Sequence, residues 1–364
     1  MKKERIASVD ILRGITIVAM ILVNTPGTWS NVYGPLLHAE WHGLTPTDLI
    51  FPFFLFIVGI SIAFAYKNKP KTFYTYNKIF IRSLKLIALG LFLNVFLPYL
   101  PFITDIETMR IPGVLQRIGI VFCVSAILYL HFNWKVIVGL SIATLLLYWA
   151  FLGFLPFSDG TLPTFDRAPN NWVNYIDLNL LGRHMWKPDY DPEGILSTIP
   201  SIVTCLSGVL IGKVLMSHQN RKEITLSIIA IGLLAIGYIF SYWFPINKAL
   251  WSSSFVLVTS GWAVLILSII YFITDVLHIK FGAIFKYVGI NAITIYFLSS
   301  FISKFFYLTK VNENENIHSY LYNNIFTHSF LSAEMSSLLY ALTVVLFYLL
   351  LGYILFKKKI IIKV

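Results

Sequence analysis

Residues 47–66 read TDLIFPFFLFIVGISIAFAY. Asp48 is the one charged group in that run. About 20 mostly apolar residues are what a helix needs to cross a hydrocarbon layer. Working outward, nine more runs of this kind follow: 9–26, 79–99, 112–131, 135–154, 195–215, 224–241, 253–274, 285–306 and 335–356. The spacing predicts an all-α integral membrane protein of about ten transmembrane helices, forming a single domain over 1–364. The sequence opens MKKERIASVDILRG, and no small-residue cleavage site follows the first apolar run, so that run reads as an uncleaved span.

Composition agrees. The chain is 57% hydrophobic and 12% charged, about half the charged share of a soluble domain, and its mean hydropathy is +0.75. A disordered chain, a disulfide scaffold and an ordinary soluble enzyme are excluded. The net charge of +11 does not point to nucleic acid, because it segregates by side. With ten spans, Lys2, Lys3, Arg5, Lys67, Lys69, Lys71, Lys78, Lys135, Lys213, Arg221, Lys222, Lys280, Lys286 and Lys357 to Lys359 share one face, which the resistance of positive charge to translocation makes cytoplasmic. Both termini then lie inside. Cys123 and Cys205 sit in apolar runs and read as small core residues.

The opposite face holds the long extracytoplasmic loop 155–194, with Trp172, Tyr175, Trp186 and Tyr190. An ordered cap over a polar cleft and an interfacial aromatic belt explain these aromatics equally well. Ionisable groups in or beside spans are costly and mark sites by default. Asp10 and Arg13, three apart, share a helix face and suit either a helix-end ion pair or an anion entering from the cytoplasm. Asn24 ends the first span before Pro26-Gly27. His38, Glu40 and His42 follow, and Thr45 or Thr47 can cap the next helix with Asp48 in its first turn. The order HAEWH is not a zinc pattern and no third ligand is marked, so no metal is expected. A neutral imidazole beside a carboxylate suits a general base or nucleophile. Arg110, Arg117, Asp191, Glu193, Asn247 and Lys248 gather further polarity at the outer mouths, although capping or packing explains each of them singly.

Seven ordered segments carry a resemblance: VDILRG, the block Val23 to Phe54 with HAEWHGLTPTDLIFPFF, KIFIRS, RIPGVLQRIG, YDPEGILSTIPSIVTCLSGVLIG, FPINKALWSSSF and YVGINAITIYF. The sequence resembles the bacterial membrane branch of the heparan-alpha-glucosaminide N-acetyltransferase family, without the luminal N-terminal domain of the animal members. The resemblance implies a transmembrane acyltransferase of the bacterial inner membrane. Cytosolic acetyl-CoA is the implied donor, and an amino sugar or related glycan on the outer face the acceptor. It matches His38 to the active-site histidine, Asn24 to an accompanying asparagine and Asp48 to an acidic position. His42 departs from the animal pattern and receives no role. On this chemistry Arg13, Arg82 and Lys85 are candidates for the CoA phosphates. Arg82 also fits a simple positive-inside anchor. Arg110, Arg117, Asp191, Glu193, Asn247 and Lys248 would shape the sugar site. No nucleic-acid partner is expected, and a homodimer is compatible with the sequence. A transporter or exporter of a sugar or lipid-linked substrate is the alternative class.

Overall fold

The computed structural model describes residues 6–362. Lys2, Lys3 and Arg5, which entered the charge-sidedness argument, lie outside them. Among the described residues the chain is helical, with three isolated β-bridges and no named strand. The helices are α1 (Ala7–Asn24), α2 (Ile50–Tyr66), α3 (Phe73–Val95), α4 (Val114–His131), α5 (Trp134–Phe154), α6 (Trp172–Leu181), α7 (Thr198–Leu215), α8 (Lys222–Phe240), α9 (Ser253–Tyr271), α10 (Ala283–Ile290), α11 (Ala292–Leu308), α12 (Ile317–Leu321) and α13 (Ala333–Lys357).

Eight of the described helices are long and apolar enough to cross a membrane, and the bent pair α10–α11 brings the number to nine. The chain is a multi-pass membrane protein. α3 falls outside this set because Lys78, Arg82 and Lys85 all lie within it. The expected single span 285–306 is corrected. It breaks at Asn291, where α10 and α11 meet at 81°. The break coincides with a contact made across the fold. The Asn291 side chain leaves the helix register to donate to Ile360 O at 3.0 Å and accept from Ile362 N at 2.9 Å. Hydropathy is blind to such a turn, because the residues on both sides remain apolar.

Helix ends follow their residues. Asn133, Ser252 and Ser332 accept from the first backbone N–H groups of α5, α9 and α13. Two pairs of helices approach at backbone distance. A methyl group on Gly59 of α2 would strike the Cys205 carbonyl of α7, and one on Gly208 would strike the Phe56 carbonyl. Gly14 of α1 and Gly289 of α10 are reciprocal in the same way, against Phe285 and Asp10. Small residues that let backbones touch are how helices pack where burial from water adds little. The second pair fixes the segment that carries Arg13. Cys205 is buried and Cys123 partly so, both unpaired.

The chain connections gather at two ends. At one, here called the His38 end, Trp41, His42 and Arg110 meet residues of the 155–194 loop. That loop is not structureless, since α6 lies inside it and starts on an Asn171 cap. At the other, the Arg13 end, the first amides of α1 donate to Asp275 beyond α9.

Candidate active site

The His38 end is built around the start of α2. Thr45 precedes Pro46, and Asp48 stands three residues on, so Thr45 and Asp48 close a capping box. Asp48 is 1% exposed. Its Oδ2 accepts from the amides of Ala39 (3.1 Å) and Thr45 (3.0 Å), while the Thr45 hydroxyl donates to Leu37 O at 2.7 Å. These bonds staple the loop to the helix and leave Oδ1 for His38, whose Nδ1 is 2.7 Å away. A buried carboxylate surrounded by donors is an acceptor, so Nδ1 carries the proton and Nε2 presents a lone pair. The ring is half exposed.

Lys248 completes the cluster. Its Nζ lies 3.2 Å from His38 Nε2, 3.0 Å from Nδ1 and 3.7 Å from Asp48 Oδ1. The amine thus stands within reach of both ring nitrogens and of the carboxylate. Burial draws the Lys248 pKa below the ordinary lysine value, against the opposing pull of Asp48 and Glu193. Its turn is rigid because Asn247 is fully buried. The Asn247 Oδ1 accepts from Leu250 N (2.8 Å), and its Nδ2 meets His42 Nδ1 at 3.3 Å. Asn247, expected at the sugar, is spent on this turn. His42 is held between Asn247 and Asp166 (3.0 Å), and Trp41 Nε1 donates to Phe165 O (2.8 Å). Of the two readings of the long loop, these contacts fit the ordered cap.

A second cluster stands beside the first. Arg110 grips Asp191 with Nε and Nη2 at 2.8 and 2.6 Å and reaches Glu193 with Nη2. Asp191 is fully buried and also accepts from the amides of Trp186 and Glu193, each at 2.9 Å. It therefore holds the wall together and has no oxygen left for a substrate. Burial opposes the Arg110 charge, but the two carboxylates outweigh it and its pKa stands above the ordinary value. Arg117 is buried, donates to Gly194 O and Ser197 Oγ, and lies 5.0 Å from the Trp251 ring centre. Its Nε and Nη1 have no partner among the described residues.

Behind this wall Asp177, also fully buried, accepts from Asp191 N (3.2 Å) and Ile195 N (2.9 Å). Burial lifts its pKa to about 6 even so. A carboxyl that is easier to protonate when folded costs stability as it ionises. Stability therefore falls as pH rises from about 4 to about 6, by roughly 3 kcal/mol in all. In thermal melts over that window Asp177→Asn should flatten the slope. An unchanged slope would show that the window belongs to another group.

Asn24, at the end of α1, is exposed into a cavity of about 440 Å³ that Arg110 also lines. At the Arg13 end, Arg13 and Arg82 line one cavity of about 370 Å³. Arg13 pairs with Asp10 (2.9 Å) and donates to Ser61 Oγ (2.8 Å). Arg82 stacks on Phe122 at 4.8 Å, and its Nε has no partner among the described residues. Lys85 is exposed and does not line this cavity, so it is not brought together with the two arginines. A larger neighbouring cavity shares Arg13 and adds Lys67 and Lys222. Sequence reasoning missed Lys304 of α11, which lines the Asn24 cavity. The signal was present, because an ionisable residue inside an apolar run is a flag in itself.

The fold thus sets a histidine–carboxylate–lysine cluster at one end of a multi-pass bundle and two arginines sharing a cavity at the other. Residues 5–241 match the family model described as the catalytic region of heparan-alpha-glucosaminide N-acetyltransferase. The chain belongs to that family. It is 31% identical to the human protein named heparan-alpha-glucosaminide N-acetyltransferase, with 98% of this chain aligned to 59% of that one. It is 30% identical to the mouse protein of the same name, over 98% and 60%. The chain thus spans about three-fifths of the length of the curated relatives it matches.

Proposed function

We propose that this protein is a ten-pass acetyltransferase of the bacterial inner membrane, with both termini in the cytoplasm. It moves the acetyl group of cytosolic acetyl-CoA to an amino sugar or related glycan on the opposite face. One observation carries the reading. The same three helices, α1, α3 and α11, frame a cavity at each end, one with Arg13 and Arg82, the other with Asn24. Along α1 the eleven residues from Arg13 to Asn24 rise about 16 Å, which suits an extended pantetheine arm. α3 packs chiefly on α4 and touches α11 little, so that seam is where the arm would pass.

At the inner mouth the two guanidinium groups and the N-terminus of α11 bind the CoA phosphates. At the outer mouth the acceptor nitrogen attacks the thioester carbonyl. His38 Nε2 takes the proton as the C–N bond forms and returns it to the departing thiolate as the C–S bond breaks. Asp48 holds the tautomer that this transfer needs. Asn24 supplies a hydrogen bond to the carbonyl oxygen as charge gathers there.

The test is release of CoA thiol by the purified protein, expected only when an amino sugar is supplied. Sugar uptake into vesicles without thiol release would move the protein to the transporter class. Arg82→Ala should raise KM for acetyl-CoA by about tenfold, the worth of one charge-assisted hydrogen bond, and leave KM for the acceptor in place. An unchanged donor KM would remove Arg82 from the phosphate site.

A further inference from the structure

A groove of about 1180 Å³ runs between α5 and α8, floored by α7 and α9, away from both arginines of the Arg13 cavity and from His38. α5 packs chiefly on α7, and α8 chiefly on α9. The groove is the gap left between these two layers. Its polarity is one-ended. Lys213, Ser217 and Gln219 line it beside Trp134, close in sequence to Leu215 and Lys222, which line the larger cavity at the Arg13 end. Beyond them the walls are apolar, with Leu146, Leu210, Ile236 and Phe240 among them. The hydroxyls deeper in are already used. Ser141 donates to Ile137 O (2.8 Å), and Ser207 and Ser260 bond each other (3.0 Å).

The charge at the polar end has one sign. No carboxylate lines the groove among the described residues. Lys213 lies 5.8 Å from the Tyr129 ring centre and has no carboxylate within ion-pair distance among the described residues. Lys135 adds a second cation above Trp134, and the turn 216–221 brings His218 and Arg221 but no acid. Glu223 follows inside α8 and does not line the groove.

Physical chemistry then limits the occupant. An apolar gap between spanning helices does not hold water, and left empty it forfeits dispersion contacts along its walls. The ten residues of α7 from Lys213 back to Val203, both on the lining, rise about 15 Å, half the ~30 Å of a hydrocarbon core. One acyl leaflet therefore matches the groove in depth. Cations gathered at the mouth of an apolar cleft between helices are the arrangement that takes an anionic lipid headgroup. A second copy of the chain fits worse. A twofold pair presents the same patch twice, so a concave face would meet a concave face and the basic rims would repel.

We propose that the groove between α5 and α8 is a binding site for an anionic phospholipid, its phosphate held by Lys213 and its acyl chains laid along Leu210 and Ile236. The Gln219 amide, which spends one N–H on Thr225 Oγ1 (2.8 Å), has a second for the same phosphate. The site requires only that the chain span a membrane and is independent of the acetyl-transfer reading.

Full-length protein in detergent is mixed with phosphatidylglycerol or with phosphatidylcholine of the same acyl chains. Bound lipids are counted by native mass spectrometry, and thermal midpoints are followed in parallel. Phosphatidylglycerol should be retained in preference and should raise the midpoint, because a ligand of the native state stabilises it. Lys213→Ala should weaken its retention about fivefold, the worth of one lysine at an anionic surface, and Lys213→Arg should keep it. Val138→Trp, one turn past Trp134, fills the groove and should abolish retention in a protein whose lipid-free midpoint is unchanged. Ile236→Trp does the same from the facing wall should the first variant fail to fold. Equal retention of the two lipids overturns the headgroup assignment. Undiminished phosphatidylglycerol binding in folded Lys213→Ala and in a folded groove-filling variant overturns the site. A wild-type dimer that Val138→Trp or Ile236→Trp converts to monomers, read by light scattering, would give the groove to a second copy and overturn the lipid.

Discussion

Replacing His38 by alanine should lower acetyl transfer by about a thousandfold or more at saturating substrates, the upper range for loss of a positioned proton acceptor. The protein should remain folded. Asp48 keeps the Ala39 and Thr45 amides, and Lys248, already 3.7 Å away, can close on the vacated oxygen. The loop therefore loses a base without exposing a bare buried charge. Asp48→Asn is the companion experiment. It leaves the imidazole in place but replaces its fixed acceptor with an amide, so a partial loss is expected with little change in either KM. Transfer by His38→Ala at the wild-type rate, in protein of unaltered thermal midpoint, would end the histidine mechanism.

Asp191→Ala should be the most destabilising single change at this end of the molecule. The side chain has no exposed surface and satisfies four donors at once: Arg110 Nε and Nη2, and the amides of Trp186 and Glu193. Its removal leaves Arg110 with Glu193 alone and strips two amides of their acceptor. Breaking a buried ion pair from one side costs about 3–5 kcal/mol. The thermal midpoint should fall accordingly. Arg110→Ala combined with Asp191→Ala should cost less than the sum of the two single changes, because the pair shares one interaction. A loss below about 1 kcal/mol would place the pair among surface contacts, where such values are usual.

These expectations separate what the residues announce from what only folding discloses. The apolar runs located the helices because lipid solvation is a property of composition, and the Asp10–Arg13 contact and the Thr45–Asp48 cap follow from spacings of three. The break at Asn291 was invisible because its cause, the chain end near Ile360, is remote in sequence. The Lys248 contact with His38 joins residues more than two hundred positions apart and no periodicity encodes it. Asn247 and Asp191 looked like substrate ligands because they are polar at a helix mouth. Both are fully buried and hydrogen-bonded within the fold, which no spacing in the sequence announces.

The tie between Trp41, His42 and the Phe165–Asp166 strip makes two distant loops behave as one strut. Whatever loosens the strip slackens His42, which Asp166 holds at 3.0 Å, and through the shared loop the His38 ring beyond it. An epitope spliced in beside Arg167 would therefore be a poor handle for purification, silencing the molecule from a place that looks harmless on a topology drawing.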